Sequence, residues 1–236
     1  MKKKILIFCL CLLLVLGAGA YFSAAETEEE LATENLFRGY SEADGRGFME
    51  AEVIIEQDSI TEVSLREYNE YGLPKGEDYP LEEFQKAMEM LPERFTAADD
   101  YEVDTVSGAT ATSNKAIEAV KMALEKAEGI TSFDGTFMGI SDDLEDREGR
   151  GIAWVTVEAG QIIDIRLEEV SRDSYKDEDY PLAEFHEARE KLAARIIEAD
   201  THEVDTYTGA TQSSGLWLEA VERALEKAGY SEGEEE

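Results

Sequence analysis

The sequence predicts an α+β protein made of two tandem copies of a small antiparallel sheet packed with helices, after an N-terminal signal or anchor segment. The main observation is a repeat: Asp-Thr-Val-Ser-Gly-Ala-Thr at residues 104–110 returns as Asp-Thr-Tyr-Thr-Gly-Ala-Thr at residues 205–211, 101 positions later (205 − 104). Glu-Asp-Tyr-Pro-Leu recurs at the same spacing, at residues 77–81 and 178–182. Only two copies with so long a period indicate a duplicated domain rather than a solenoid.

Each copy is predicted to contain a β-hairpin. In the first copy, apolar and polar residues mostly alternate over residues 49–55, and residues 60–65 form the returning strand. This period of two is typical of a half-buried strand. The second copy repeats the pattern at residues 152–157 and 162–167, around a turn at Ala159.

Two helices are predicted in each copy. Pro80 and Pro181 suit the first helical position, because a helix start leaves its N–H groups unpaired and proline lacks one. The apolar faces of these first helices are Phe84, Ala87, Met88 and Leu91, and Phe185, Ala188, Leu192 and Ile196. The second helix should run from about Ser113 to Ala127. The predicted N-caps are Thr112 or Ser113, and Ser213 or Ser214.

The N-terminus indicates export. Met1 is followed by three lysines and an apolar run over residues 5–22, which is typical of a signal peptide and is also long enough for a membrane anchor. We expect a protein of the cell envelope or the extracellular membrane face, anchored through this run or released by cleavage. The predicted segments are a signal or anchor at 1–25, an acidic spacer at 26–35, domain 1 at 36–128, domain 2 at 131–229 and an acidic tail at 230–236.

Charge and composition exclude several classes of function. The formal net charge is −33, which excludes nucleic acid as a partner because its binding needs basic patches. Both cysteines, Cys9 and Cys11, lie in the N-terminal apolar run, so the exported part has no disulfide or thiolate metal site. The sequence around His186 and His202 contains no metal-binding or catalytic motif, and we predict neither catalytic residues nor a metal site.

The repeated motif is a candidate site on its residues alone. It turns at Gly108 or Gly209 and then enters a helix, where free backbone N–H groups favour a phosphate. Glycine also lets a ligand approach the backbone closely. Asp104 and Asp205 could accept hydrogen bonds from the turn or present a carboxylate to a metal ion. The alternative is a turn that only caps a helix, and the presence of two copies in the same context favours a site.

The motif resembles the flavinylation motif of the FMN-binding domain family, which includes the C subunit of the sodium-pumping NADH:quinone reductase and the G subunit of the Rnf complex. In that family the last threonine carries FMN through a phosphoester bond. The resemblance therefore implies Thr110 and Thr211 as acceptors of up to two covalent FMN groups. It also implies a magnesium-dependent flavin transferase that uses FAD as donor. The implied recognition positions are Asp104, Ser107, Gly108, Ala109, Asp205, Thr208, Gly209 and Ala210.

The second copy departs slightly from the first, since bulky Tyr207 replaces Val106. Trp217 follows the second motif and could stack on a flavin, but we expect core packing. Tyr79 and Tyr180 recur next to proline, and we expect them to fix the start of the helix, with a flavin contact as the alternative.

We therefore expect an exported electron-transfer flavoprotein rather than a self-sufficient enzyme. Electrons would pass from a membrane redox donor to an extracytoplasmic electron acceptor. A covalent link suits this setting, because it keeps the local cofactor concentration high whatever the affinity. Two alternatives remain open. One is the electron-input subunit of an extracytoplasmic reductase, and the other is an acidic surface interaction module that carries no flavin.

Overall fold

The computed structural model describes residues 35–143, 149–171, 174–176 and 178–230. The signal or anchor expected at residues 1–25, the spacer up to residue 34 and the tail from residue 231 lie outside the described residues. In the part of the chain that is described, no helix is both long and apolar enough to cross a membrane.

The first unit is a three-stranded antiparallel sheet covered on one face by two helices. The strands lie in the order β1-β2-β3. The alternating apolar residues Met49, Ala51 and Val53 are fully buried, and they share one core with Phe95 and Val120 from the helices. The elements are β1 (Leu36–Tyr40), β2 (Phe48–Glu56), β3 (Ser59–Tyr68), α1 (Glu82–Ala98) and α2 (Thr110–Ala127).

The second unit repeats this arrangement and adds a short fourth strand. Its strands lie in the order β4-β5-β6-β7. Ala153 and Val155 occupy the core face of the sheet, together with Leu192 and Trp217 from the helices. The elements are β4 (Gly135–Ile140), β5 (Gly149–Glu158), β6 (Gln161–Ser171), β7 (Ser174–Tyr175), α3 (Ala183–Ala199) and α4 (Thr211–Ala228).

The α+β class and both predicted hairpins are confirmed, but the sequence did not reveal the edge strands β1 and β4. Each is short and contains a glycine, a residue that is depleted in strands. An added Cβ would lie 2.0 Å from the Ala119 carbonyl oxygen at Gly39, and 1.8 Å from the Ala220 carbonyl oxygen at Gly139. The glycines are therefore needed because α2 and α4 pack directly on the backbones of these strands.

The two units also share an interface. The Ala43 N–H donates a hydrogen bond of 2.8 Å to the Thr136 carbonyl oxygen, and the Tyr175 hydroxyl donates one of 2.6 Å to the Glu70 carbonyl oxygen. An apolar cluster between the units buries Phe48, Met138, Ile152, Trp154 and Val170. Burial of this cluster holds the two units together.

Candidate functional site

Both motifs place their last threonine at the first position of a helix. Helix α2 begins at Thr110 and α4 begins at Thr211, and both side chains are exposed. Ala109 and Ala210 are the N-cap residues, and an alanine side chain cannot accept a hydrogen bond from the helix start. The N–H groups of the first turn are therefore available to an anion.

The predicted serine and threonine N-caps are wrong, because the helices begin earlier than expected. Ser113 and Ser214, predicted as caps, lie inside the first turn and are buried. The Ser113 hydroxyl donates to the Ala109 carbonyl oxygen at 2.9 Å and accepts from the Val106 N–H at 3.0 Å.

The same pair of hydrogen bonds fixes the second motif. Ser214 Oγ lies 2.8 Å from the Ala210 carbonyl oxygen and 3.1 Å from the Tyr207 nitrogen. The two serines therefore hold the turn that presents each threonine, although sequence reasoning had assigned them another role.

Both motif glycines have a positive backbone φ angle, which residues with a side chain rarely adopt. Gly108 has φ 84° and Gly209 has φ 91°, in the left-handed region where a Cβ is unfavourable. A Cβ on Gly108 would also lie 2.7 Å from Glu83 Cγ, and one on Gly209 would lie 3.1 Å from Glu184 Cγ. The turn is thus in close contact with the start of the preceding helix in both units.

The structure does not bring all the predicted recognition residues together. Gly108, Ala109 and Thr110 line one groove, whereas Asp104 lines another with Arg94. The Arg94 guanidinium donates to the backbone carbonyl oxygen of Asp104, and Asp104 itself is exposed.

The second motif is divided in a similar way. Asp205 and Thr208 line a groove with Arg195, whose guanidinium donates to the Asp205 carbonyl oxygen at 3.2 Å. Ser107 is exposed at the turn of the first motif. In the described part of the chain, no group of three or more His, Cys, Asp or Glu side chains could hold a metal ion, so the possible metal role of Asp104 and Asp205 gains no structural support.

The groove beside Thr110 is small and lined by several cations. Its volume is about 170 Å³. Besides the motif residues, its lining includes Arg46, Glu67, Lys75, Tyr79, Phe84 and Lys115. These positive side chains stand out in a chain with a net charge of −33. Lys75 and Lys115 are each paired with a carboxylate, so the groove is less negative than the chain as a whole, which favours a phosphate there.

Lys115 is buried in this groove and fixed by two acceptors. Its ammonium donates to Asp44 Oδ1 and to the Gly47 carbonyl oxygen, both at 2.7 Å. Burial by itself raises the pKa of the Asp44 carboxyl, but the hydrogen bonds from Lys115 and from the Arg46 N–H outweigh burial and hold that pKa below its usual value. Asp44 therefore stays charged and keeps Lys115 in place.

A second buried charge, the carboxylate of Glu67, pairs with Lys75 at 2.6 Å. The Lys75 ammonium lies 5.0 Å from the ring centroid of Tyr79 and 5.8 Å from that of Phe84. Tyr79 and Phe84 are in edge-to-face contact, with centroids 4.8 Å apart, so Tyr79 both packs against the start of α1 and lines the groove.

Sequence reasoning missed Glu67 and Lys75, although a signal was present. Lys75 recurs as Lys176 at the same 101-residue spacing as the motif (176 − 75). Trp217, in contrast, behaves as predicted: it is fully buried, and its indole N–H donates to the Glu168 carbonyl oxygen at 2.9 Å.

The geometry at Thr110 is suited to binding a phosphate group. An exposed threonine hydroxyl lies at a helix start, next to a turn that requires glycine and a groove that contains cations. The groove also includes Glu67, whose Oε2 atom is buried without a hydrogen-bond partner among the described residues, so an acceptor is available for a donor on the cofactor. Together, fold and site define a small α+β protein that can hold a phosphorylated cofactor at a helix start.

Comparison with known proteins identifies the first unit. Residues 45–125 match the FMN-binding domain family, so the chain contains an FMN-binding domain, and this match supports FMN as its cofactor. The match covers the first unit from β2 to the last turn of α2, including the first motif. No curated protein matches the chain.

Two solved structures are similar to part of the chain. A crystal structure of a Clostridium perfringens protein is 22% identical, with a TM-score of 0.36, and the alignment covers 41% of this chain and 88% of that one. A solution NMR structure of a Clostridium thermocellum protein is 19% identical, with a TM-score of 0.30, covering 40% and 91% respectively.

Proposed function

We propose that this protein is an exported electron carrier that holds FMN covalently, as a phosphoester on Thr110 and on Thr211. It receives electrons from a membrane redox donor and passes them to an extracytoplasmic acceptor. The observation that carries the proposal is the position of Thr110, which is exposed at the first residue of α2 within an FMN-binding domain. Thr211 has the same position in α4.

Attachment is a phosphoryl transfer from FAD. The threonine oxygen bonds to the phosphorus on the riboflavin side of the diphosphate, and the bond from that phosphorus to the bridging oxygen breaks. AMP leaves with the bonding electron pair, and a base of the transferase takes the hydroxyl proton. A magnesium-dependent flavin transferase supplies the catalysis, and this chain supplies the accessible hydroxyl.

The chain's own residues bind and orient the attached phosphate. Backbone N–H groups of the first turn of α2 point towards an anion at Thr110, and Arg46, Lys75 and Lys115 offset the surrounding negative charge. When bound, FMN supplies the redox chemistry, and the protein tunes its electrostatic surroundings.

The size of the groove supports a covalent link. A volume of about 170 Å³ is below the roughly 300 Å³ at which pockets for whole ligands begin. A cofactor that is only partly enclosed is held weakly by contacts alone, and an acidic protein attracts an anion poorly. The ester bond keeps the cofactor on the protein regardless of affinity.

The intact mass of protein co-expressed with a flavin transferase tests the proposal. We expect the mass of two FMN esters, one fewer in Thr110→Ala or Thr211→Ala, and none in the double variant. Thr105→Ala and Thr206→Ala are matched controls, because these threonines are exposed residues of the same motifs and should leave the mass increase intact. Unchanged mass in every protein contradicts covalent attachment.

A further inference from the structure

Glu67 in the groove beside Thr110 has a hydrogen-bonding capacity that the protein itself does not satisfy. Its side chain is 3% exposed, and that of its partner Lys75 is 9% exposed. Lys75 contacts only Oε1, at 2.6 Å. Oε2 is buried and has no hydrogen-bond partner within the described residues.

The second unit contains the same arrangement. Lys176 pairs with Oε1 of Glu169, whose side chain is 4% exposed, and Oε2 of Glu169 is again buried without a partner among the described residues. The backbone repeats as well, because the Lys75 N–H donates to the Glu67 carbonyl oxygen at 2.8 Å, and Lys176 donates to Glu169 at 2.8 Å.

Such an arrangement is costly for the folded protein alone. A buried acceptor without a donor loses its hydration and gains nothing in return. Replacing a buried ion pair by apolar side chains of similar shape is often neutral or stabilising. The same unsatisfied oxygen in both units therefore indicates a donor that arrives with a ligand.

We propose that Glu67 and Lys75 bind the ribityl hydroxyl groups of the FMN attached to Thr110, and that Glu169 and Lys176 do the same for the FMN at Thr211. This inference rests on the proposed function. A hydroxyl can donate to the free carboxylate oxygen and accept from the neighbouring ammonium, so a polyol chain suits a carboxylate–ammonium pair.

The dimensions of the site favour the ribityl chain over the isoalloxazine ring. In FMN the ribityl chain directly follows the phosphate, so it is the first part that a groove next to Thr110 can contact. A volume of about 170 Å³ is too small for a whole ligand by the usual range of pocket sizes. The pair therefore limits rotation of the tether while the ring stays outside the groove.

The experiment uses the full chain with a single flavin. The parent is Thr211→Ala protein, flavinylated on Thr110 by co-expression, and the test variant adds Glu67→Gln and Lys75→Met. Both charges are removed together so that neither is left buried alone. The matched control adds Glu169→Gln and Lys176→Met to the same parent, which removes the equivalent pair from the unit without flavin.

Five measurements follow on each protein: intact mass, quenching of flavin fluorescence by neutral acrylamide, flavin anisotropy decay, the visible spectrum and the reduction potential. We expect the test variant to keep its FMN mass, with a higher quenching constant and a larger fast component of the anisotropy decay. The ratio of FMN with its ribityl chain bound in the groove to FMN with that chain detached should fall about five-fold for each lost hydrogen bond. Spectrum and potential should stay near those of the parent, and the control should match the parent throughout.

Other outcomes overturn the inference in distinguishable ways. If quenching and anisotropy equal those of the parent, the pair does not hold the tether. If the visible bands and the reduction potential of the test variant also differ clearly from those of the parent, the pair contacts the isoalloxazine ring and the ribityl assignment is wrong. If the parent carries no FMN at all, the proposed function fails, and this inference fails with it.

Discussion

The two units present the same motif in different electrostatic surroundings. Beside the first motif lies Lys115, whereas the equivalent residue beside the second is the buried apolar Leu216. Both units nevertheless keep the glycine turn, the serine that fixes it and the glutamate–lysine pair. Both units therefore present the threonine in the same way although the charge around it differs, so we expect the two proposed cofactors to have different reduction potentials.

The cores of the two units place a large side chain on different elements, from which we infer an exchange of volume between strand and helix. Met49 and Gly151 are equivalent, because they pair across the sheet with Glu67 and Glu169 respectively. The larger residue is on the strand in the first unit. In the second unit it is on the helix, where Trp217 stands at the position of Ala116 in the first.

The largest expected effect comes from breaking this exchange. Trp217→Ala should destabilise the protein by about 3–5 kcal/mol, because it leaves a cavity in the second core. Gly151→Met alone should also destabilise, since a Cβ there would lie 2.5 Å from the Leu216 carbonyl oxygen. If the volumes compensate, the double variant is more stable than the sum of the two losses predicts. Urea unfolding of all four proteins gives the coupling energy, and additive losses would refute the exchange.

The second comparison concerns equivalent lysines at the ends of α2 and α4. Lys227 donates to the Met138 carbonyl oxygen at 2.5 Å and lies 3.8 Å from the centroid of the Phe48 ring. Burial lowers its pKa to about 7, against the opposing effect of Glu50. Burial also lowers the pKa of Lys126, its equivalent in the first unit.

The difference between the pKa of Lys227 in the folded and in the unfolded chain predicts that stability depends on pH. Between pH 7 and the unfolded pKa of about 10.4, the unfolded chain binds more protons at Lys227 than the folded chain does. The free energy of unfolding should therefore rise with pH in this window, by at most about 1.4 kcal/mol per pH unit from this group. In Lys227→Met the free energy of unfolding should lack this rise with pH, whereas Lys126→Met should keep more of it. Equal pH slopes for wild type and Lys227→Met would contradict the assignment.

A smaller effect is expected from the motif turn. Gly108→Ala should cost about 1–2 kcal/mol, because alanine is strained at the positive φ of this position. Intact mass should show less FMN on Thr110 and an unchanged amount on Thr211. Gly45→Ala is a suitable control in the same unit, because a Cβ there meets nothing within 4 Å. Equal loss at both threonines would mean that the turn does not act locally.

The smallest effect should come from making the first groove resemble the second. Lys115→Leu removes a buried positive charge near Thr110, so reduction of the FMN there should become less favourable. If Lys115 stabilises the reduced flavin by about 1 kcal/mol, its removal lowers the reduction potential by on the order of 20 mV for a two-electron couple. Redox titration in a Thr211→Ala background measures it. The potential of the Thr211 flavin, measured in a Thr110→Ala background, should not change.

Local patterns in the sequence predicted much of the fold and the motif. Alternation revealed the hairpins, and repetition identified Thr110 and Thr211 as a related pair. The pattern failed where long-range contacts decide the structure. Lys115 meets Asp44 from 71 positions away, so the cationic groove has no local signature, and the glycine of β1 reflects the approach of a distant helix.

The interface around Phe48 has a consequence for electron transfer between the two proposed cofactors. Units joined only by a flexible linker would exchange charge through random collisions, at a rate governed by linker length and solvent viscosity. Here folding itself sets the spacing of the two attachment points, because side chains of both units are buried together. Electron transfer within one molecule should thus proceed by tunnelling over a constant distance. Its rate should not change with added glycerol, and it should fall when a substitution such as Phe48→Ala loosens the interface between the units.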